Sequence, residues 1–107
     1  MNFNVTLTPS SLKDINEIFE YVYLNDSLNN ATKLISRIEE SIFSLDTFPL
    51  RGHSIPELES LIKKNYKEIH FKPYRIIYRV EDRDVYILAV LDGRRNIREL
   101  LLRRIDD

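Results

Sequence analysis

YRIIYRVEDRDVYILAVLDGRR, residues 74–95, decides how the rest of this 107-residue chain is arranged. Residues 74–81 and 85–91 are mostly β-branched, aromatic or aliphatic, and the Glu81-Asp82-Arg83-Asp84 cluster between them is polar enough to turn the chain. Two successive strands joined in this way form a β-hairpin at the centre of a sheet. Along the first strand, period two puts Tyr74, Ile76, Tyr78 and Val80 on one face and Arg75, Ile77 and Arg79 on the other. The expectation is a core-facing side and a side that offers guanidinium groups to a partner. The hairpin runs out into Asp92-Gly93 and an arginine pair, Arg94 and Arg95.

Working outward, residues 66–71 resume strand character, and Lys72-Pro73 makes a tight link into the hairpin, so three antiparallel strands follow one another as a meander. Residues 48–56, FPLRGHSIP, hold two prolines and a glycine and read as a loop. Residues 57–64 allow a helical turn. Upstream, residues 28–45 carry Ala31, Leu34, Ile35, Ile38, Ile42 and Leu45 at helical spacing behind a cap in Asn25-Asp26-Ser27. Residues 9 to about 24 carry Leu12, Ile15, Ile18, Phe19 and Val22 at the same spacing, with Lys13, Asp14, Glu17 and Glu20 expected outside. Thr8 suits the cap of this first helix and Pro9 its first turn.

Two amphipathic helices with so short a link form an antiparallel hairpin whose apolar face needs a sheet to cover. Before them, Phe3, Val5 and Leu7 alternate with Asn4, Thr6 and Thr8 as a short strand. After the meander, Asn96 with Glu99 resembles a capping box for IRELLLRRI, a helix with Ile97, Leu100, Leu101 and Ile105 inward and Arg98, Arg103 and Arg104 outward. The order β-α-α-β-β-β-α describes one α+β domain over residues 1–107: an antiparallel meander plus an amino-terminal strand, a helical hairpin on one sheet face, and a carboxy-terminal helix.

Composition narrows the function classes. A hydrophobic fraction of 43% supports a single core, and two glycines and four prolines leave little for linkers. With no cysteine and two histidines, neither a disulfide framework nor a zinc centre is expected, and no cofactor is called for. No apolar run approaches a membrane span and the start has no secretory pattern, so a soluble cytoplasmic protein without membrane partners is expected. Net charge is −1, yet residues 1–59 hold four basic and nine acidic side chains against twelve and six in residues 60–105. The basic half suggests an anionic partner, or a sheet neutralised by acidic helices.

In order and spacing, these pieces resemble one known family. The strand entering Thr8-Pro9, DINEI at 14–18, the FPLRG loop, Pro56-Glu57-Leu58, PYRIIYRV and VYILAVLDGRR together look like a toxin of the RelE/ParE superfamily of bacterial type II toxin–antitoxin pairs. The resemblance covers nearly the full chain and implies that superfamily's fold and a cognate antitoxin, whose acidic segment would wrap the arginine-rich surface. VTLTPSS, PEL and YRIIYRV lean towards the ParE-like, plasmid-stabilisation branch, which implies growth arrest through inhibition of DNA gyrase. The alternative is RelE-like, metal-free cleavage of messenger RNA on the ribosome. A third reading, from the basic strands with Tyr66, Tyr74, Tyr78 and Tyr86, is a non-catalytic nucleic-acid-binding domain.

For a nuclease, the resemblance assigns Arg75 and Arg95 to the scissile phosphate, with Glu57 and His70 as candidates for acid or base. Arginine suits the phosphate task because its planar fork grips two oxygens and stays charged. Leu101 or Leu102 stands where the RelE-like pattern has a tyrosine, and Asp92 where many members have histidine. A carboxylate there would bind one of the neighbouring arginines. For target or nucleic-acid binding, the candidates are Lys67, Arg75, Arg79, Arg94, Arg95 and Arg98.

Overall fold

The computed structural model describes residues 2–59 and 66–106, so most of the turn expected over residues 57–64 lies outside the described residues. Strand β1 (Asn4–Leu7) leads into helix α1 (Pro9–Asn25), and α2 (Leu28–Phe43) returns antiparallel to it. Single 3₁₀ turns follow at Ser44–Asp46 and Pro56–Leu58. The meander is β2 (Tyr66–Phe71), β3 (Tyr74–Glu81) and β4 (Asp84–Asp92), and α3 (Arg98–Asp106) comes last. Spatial order in the sheet is β1-β4-β3-β2, with β1 parallel to β4 and the other pairs antiparallel. The expected element order therefore stands, and β1 joins the sheet beside its last strand.

Local chemistry accounts for the element ends. The Thr8 hydroxyl accepts from the Ser11 amide at 3.2 Å and donates to the Ile87 carbonyl at 2.7 Å, capping α1 and fastening it to β4 together. Ser27 caps α2 by accepting from the Asn30 amide. Asn96 accepts from the Arg98 amide at the start of α3. In the β3–β4 turn, Asp82 adopts φ 53°, a left-handed conformation that aspartate tolerates better than most residues.

Helices α1 and α2 pack Ile15, Ile38 and Ile42, with Leu45, against Ile69, Ile76, Tyr78, Val85, Ile87 and Val90. The opposite sheet face is not the open guanidinium surface that period two suggests. There Ile77, Ala89 and Leu91 form a second core with Ile55, Leu58, Ile97 and Leu101. A register shift in β4 explains the change: Ile77 pairs with Ala89 but Tyr78 with Ile87, so Leu88 is an extra residue. Before it Val85 and Ile87 face the helical hairpin; after it Val90 does, and Ala89 and Leu91 turn to the other side.

The bulge is held by the first helix and the last. Val90 donates its amide to Asp14 Oδ2 at 2.9 Å, and Arg104 Nη1 donates to the Leu88 carbonyl at 3.2 Å. Arg104 also grips both Asp14 oxygens, at 2.6 and 2.7 Å. Asp14, expected outside, is 6% exposed, and Leu12, expected inside, is 50% exposed. The physical reason is that α1 turns its Ser11–Asp14–Ile15 side to the sheet, where β1 stops at the Leu7–Ile87 pair and the carboxylate satisfies the Val90 amide beyond that end. Arg104 likewise belongs to the interior rather than to a cationic outer face.

Tyr78, fully buried, ties the FPLRG loop to the sheet. Its hydroxyl donates to the Pro49 carbonyl at 2.7 Å and accepts from the Gly52 amide at 3.1 Å. A Cβ on Gly52 would sit 2.4 Å from that hydroxyl oxygen and 2.8 Å from the Glu68 carbonyl oxygen, so only glycine fits. Close contact between loop and strand is thus why glycine stands at this point of the loop.

The Asp14–Arg104 pair yields a direct test. Arg104→Met leaves a buried carboxylate without its cation, and the expected cost is about 3–5 kcal/mol in urea unfolding. A loss under about 1 kcal/mol would show that the clasp contributes no more than a surface pair.

Candidate functional site

Arg75 lies on the second sheet face, where register sets it between His70 of β2 and Leu91 of β4. Its guanidinium is enclosed by two carboxylates. Nε and Nη2 donate to Glu68 at 2.6 and 2.9 Å, and Nη1 and Nη2 donate to Glu57 at 2.6 and 2.8 Å. Four of its five N–H groups are thereby used. Glu68, 1% exposed, is the buried centre of the cluster, and His70 Nε2 lies 2.9 Å from Oε1, the oxygen that also accepts from Arg75 Nε. His53 stands edge-on to the His70 ring with centroids 4.9 Å apart, and its Nδ1 is 4.0 Å from Glu68 Oε2.

Each element supplies its part for a local reason. Pro56 starts the 3₁₀ turn that presents Glu57. His53 and Glu68 exchange backbone hydrogen bonds of 3.1 and 2.9 Å, which docks the loop on the outer edge of β2. Gly93 lets the chain after β4 close over the Arg75 stem: a Cβ there would lie 3.0 Å from Arg75 Cγ and Cδ. Arg75 holds the Glu57 carboxyl below its usual range, chiefly through their hydrogen bonds, and the two carboxylates raise Arg75 in turn.

The arginine loop is built differently. Asp92 accepts from the Arg94 amide, from Nε at 2.9 Å and from Nη2 at 2.6 Å, and Arg94 pulls the Asp92 carboxyl down to about 2. The expected Asp92–arginine pairing is therefore present, and Arg94 is the partner. The Arg94 side chain is still 76% exposed, and Arg95 and Arg98 are exposed beside it. Between this loop and α1 lies a groove of about 360 Å³ lined by Tyr21, Tyr74, Glu17, Asp92, Arg94 and Arg95 among others.

The candidates of the sequence thus fall into separate places. Glu57, His70 and Arg75 come together, and Arg94, Arg95 and Arg98 share the exposed loop and the start of α3. Arg79 stands at the far end of the sheet face, paired with Glu81 and lying over the Tyr86 ring. Lys67 alternates with Glu68 and shares the Ile69 side, so it faces away from Arg75. Arg75 is a correction to the expected offering of free guanidinium: a cation between two carboxylates has little left for a phosphate. Tyr74 and Tyr78 pack with the core under the helical hairpin, which separates them from Tyr66 and Tyr86.

Sequence reasoning missed Glu68 and His53. Alternation in β2 does put Glu68 two residues from His70 on one face, beside Arg75 in the next strand, and that was the available signal. His53 lies in an irregular loop and had none. Among the described residues no group of three or more His, Asp or Glu side chains is placed to hold a metal ion, and no helix is long and apolar enough to cross a membrane.

A helical hairpin on one face of this four-stranded sheet, with a helix after an arginine-bearing loop on the other, defines a RelE/ParE-type toxin fold. The family model described as "ParE toxin of type II toxin-antitoxin system, parDE" matches residues 5–97, and the chain belongs to that family. It is 31% identical over 84 residues to Toxin ParE3 of Caulobacter vibrioides, covering 78% of this chain and 80% of the relative.

Similar solved structures share the fold. A structure of the chromosomal ParDE system from P. aeruginosa superposes with TM-score 0.69 at 17% identity, over 82% of this chain and 92% of that one. The RelBE2 toxin–antitoxin complex from Mycobacterium tuberculosis gives TM-score 0.61 at 21% identity, over 84% and 96%. The YoeB dimer from Staphylococcus aureus gives 0.52 at 24%, over 83% and 94%.

Linkage supplies the test of the Arg75 cluster. Because Glu57 is more acidic folded than unfolded, its pairing stabilises fully above the ordinary carboxylate range and is lost as pH falls through the lowered value. Glu57→Gln is expected to cost about 1 kcal/mol at neutral pH, an allowance for its partial exposure, and to converge with the unsubstituted chain in acid. Parallel stability curves at all pH values would contradict the pairing.

Proposed function

We propose that this toxin arrests growth by inhibiting DNA gyrase in the cytoplasm, and that a cognate antitoxin silences it by laying an acidic segment over Arg94, Arg95 and Arg98. The observation that carries the reading is the contrast between two arginine sites. Arg75 is already neutralised by Glu57 and Glu68, whereas the loop from Asp92 projects guanidinium groups beside an open groove. A toxin that acts by binding needs such anchors and no proton-transfer machinery.

Membership of the ParE toxin family and the likeness to Toxin ParE3 support the same target. The ParDE and RelBE2 structures, each named for a toxin–antitoxin system or complex, support the antitoxin. Metal-free RNA cleavage would ask Arg75 to stabilise a phosphate while bound to two carboxylates, and the charge of that trio is net negative. No specific observation favours it.

Purified toxin is expected to block gyrase supercoiling and leave transcripts intact in a translating extract. Arg94→Ala with Arg95→Ala should weaken inhibition by about 5–30-fold, the range for truncating an anchor worth about 1–2 kcal/mol. Co-expression of the small gene beside this one should restore growth. Unchanged supercoiling at excess toxin, with cut messenger RNA, would overturn the proposal.

A further inference from the structure

Tyr66, Arg79 and Tyr86 form a row across three adjacent strands: Tyr66 is the register partner of Arg79, and Arg79 of Tyr86. The Arg79 guanidinium carbon lies 4.6 Å from the Tyr86 ring centroid, within cation–π range. This row helps to line a cavity of about 310 Å³ at the end of the second sheet face, beyond the Ile97 and Leu101 that cover its centre. Thr8 and Ser10 at the start of α1 and Arg104 from α3 form part of the walls. No carboxylate is among the described residues lining it.

The lining has a definite chemical preference. Two phenol rings present faces and polar tips, the Arg79 guanidinium presents donors, and the Ser10 hydroxyl can donate to an oxyanion, whereas Thr8 is spent on the Ile87 carbonyl and Arg104 on Asp14 and the Leu88 carbonyl. Asp14 fixes the Arg104 side chain in place, and Tyr86 underlies that of Arg79. A flat aromatic group that carries a negative charge a few bonds away satisfies all of these at once. An aliphatic acid would leave the ring faces unused, and a neutral aromatic would leave Arg79 to its exposed partner Glu81.

We infer that this trough binds a nucleotide unit, with the base stacked on Tyr66 or Tyr86 and the phosphate at Arg79. Base stacking on such rings tolerates every base, so no sequence preference is expected. Glu81, the exposed partner of Arg79, competes with the phosphate for the same guanidinium. The source is either a free nucleotide or one residue of a single strand. Neither requires the arginine loop, so the site stands apart from the gyrase reading and survives its failure.

The test uses the full chain with two probes, adenosine monophosphate and a labelled single-stranded oligonucleotide, followed by amide NMR shifts and fluorescence polarisation. Saturable, salt-weakened binding with shifts centred on Tyr66, Arg79 and Tyr86 is expected. Tyr86→Ala should weaken it by about tenfold or more, Tyr86→Phe should retain it, and Glu81→Gln should tighten it. Shifts with the mononucleotide assign a free-nucleotide source, and shifts with the strand alone assign single-stranded nucleic acid. Shifts in the unsubstituted chain that bypass these residues, or no binding of either probe, would overturn the inference. So would strand binding unchanged in folded Tyr86→Ala and Tyr66→Ala.

Discussion

One extra residue in the last strand, Leu88, sets the constraint on which the rest of the molecule depends. By shifting the alternation of β4, it allows Val85, Ile87 and Val90 to face one helical layer while Ala89 and Leu91 face another. Beyond the Leu7–Ile87 pair, where β1 ends, the Val90 amide and the Leu88 carbonyl need other partners, and they find a carboxylate from α1 and a guanidinium from α3. The sheet is consequently buried on both sides at its centre, and the three layers are joined by one ion pair.

Burial on the second face has a chemical consequence for the charges that stand there. Arg75 and Glu68 are too enclosed to rely on water, so they are matched to each other, with Glu57 and His70 completing the set. Where the second core ends, that requirement ends. The loop after β4 and the Tyr66–Arg79–Tyr86 row therefore keep cations within reach of solvent, one beside α1 and the other beside the start of α1 and α3. Enclosed arginines and those within reach of solvent are separated by how deeply the sheet is covered.

Much of this was legible in the chain. The hairpin, the meander and both long helices follow from periodicity and turn chemistry, and Thr8 and Ser27 act as the caps their positions suggest. Asp92 beside Arg94 was readable too, since a two-residue separation across Gly93 leaves the pair little choice. What escaped is non-local. Asp14 reads as an outward charge on its helix until β4 offers it the Val90 amide. A bulge within an unbroken apolar run such as VYILAVL leaves no mark, because every residue there suits either face. For the same reason Arg75 looked available: its partners come from a 3₁₀ turn and an edge strand whose side chains converge only in three dimensions.

The central claim is that Arg75 holds the fold while the exposed arginine loop meets the target. It is tested most directly by Arg75→Met, with unfolding free energy and growth arrest measured on the same variant. The account predicts a loss of several kcal/mol in stability, about 3–5 for an abandoned buried carboxylate, with growth arrest falling only as the folded fraction falls. A variant as stable as the unsubstituted chain yet unable to arrest growth would contradict it.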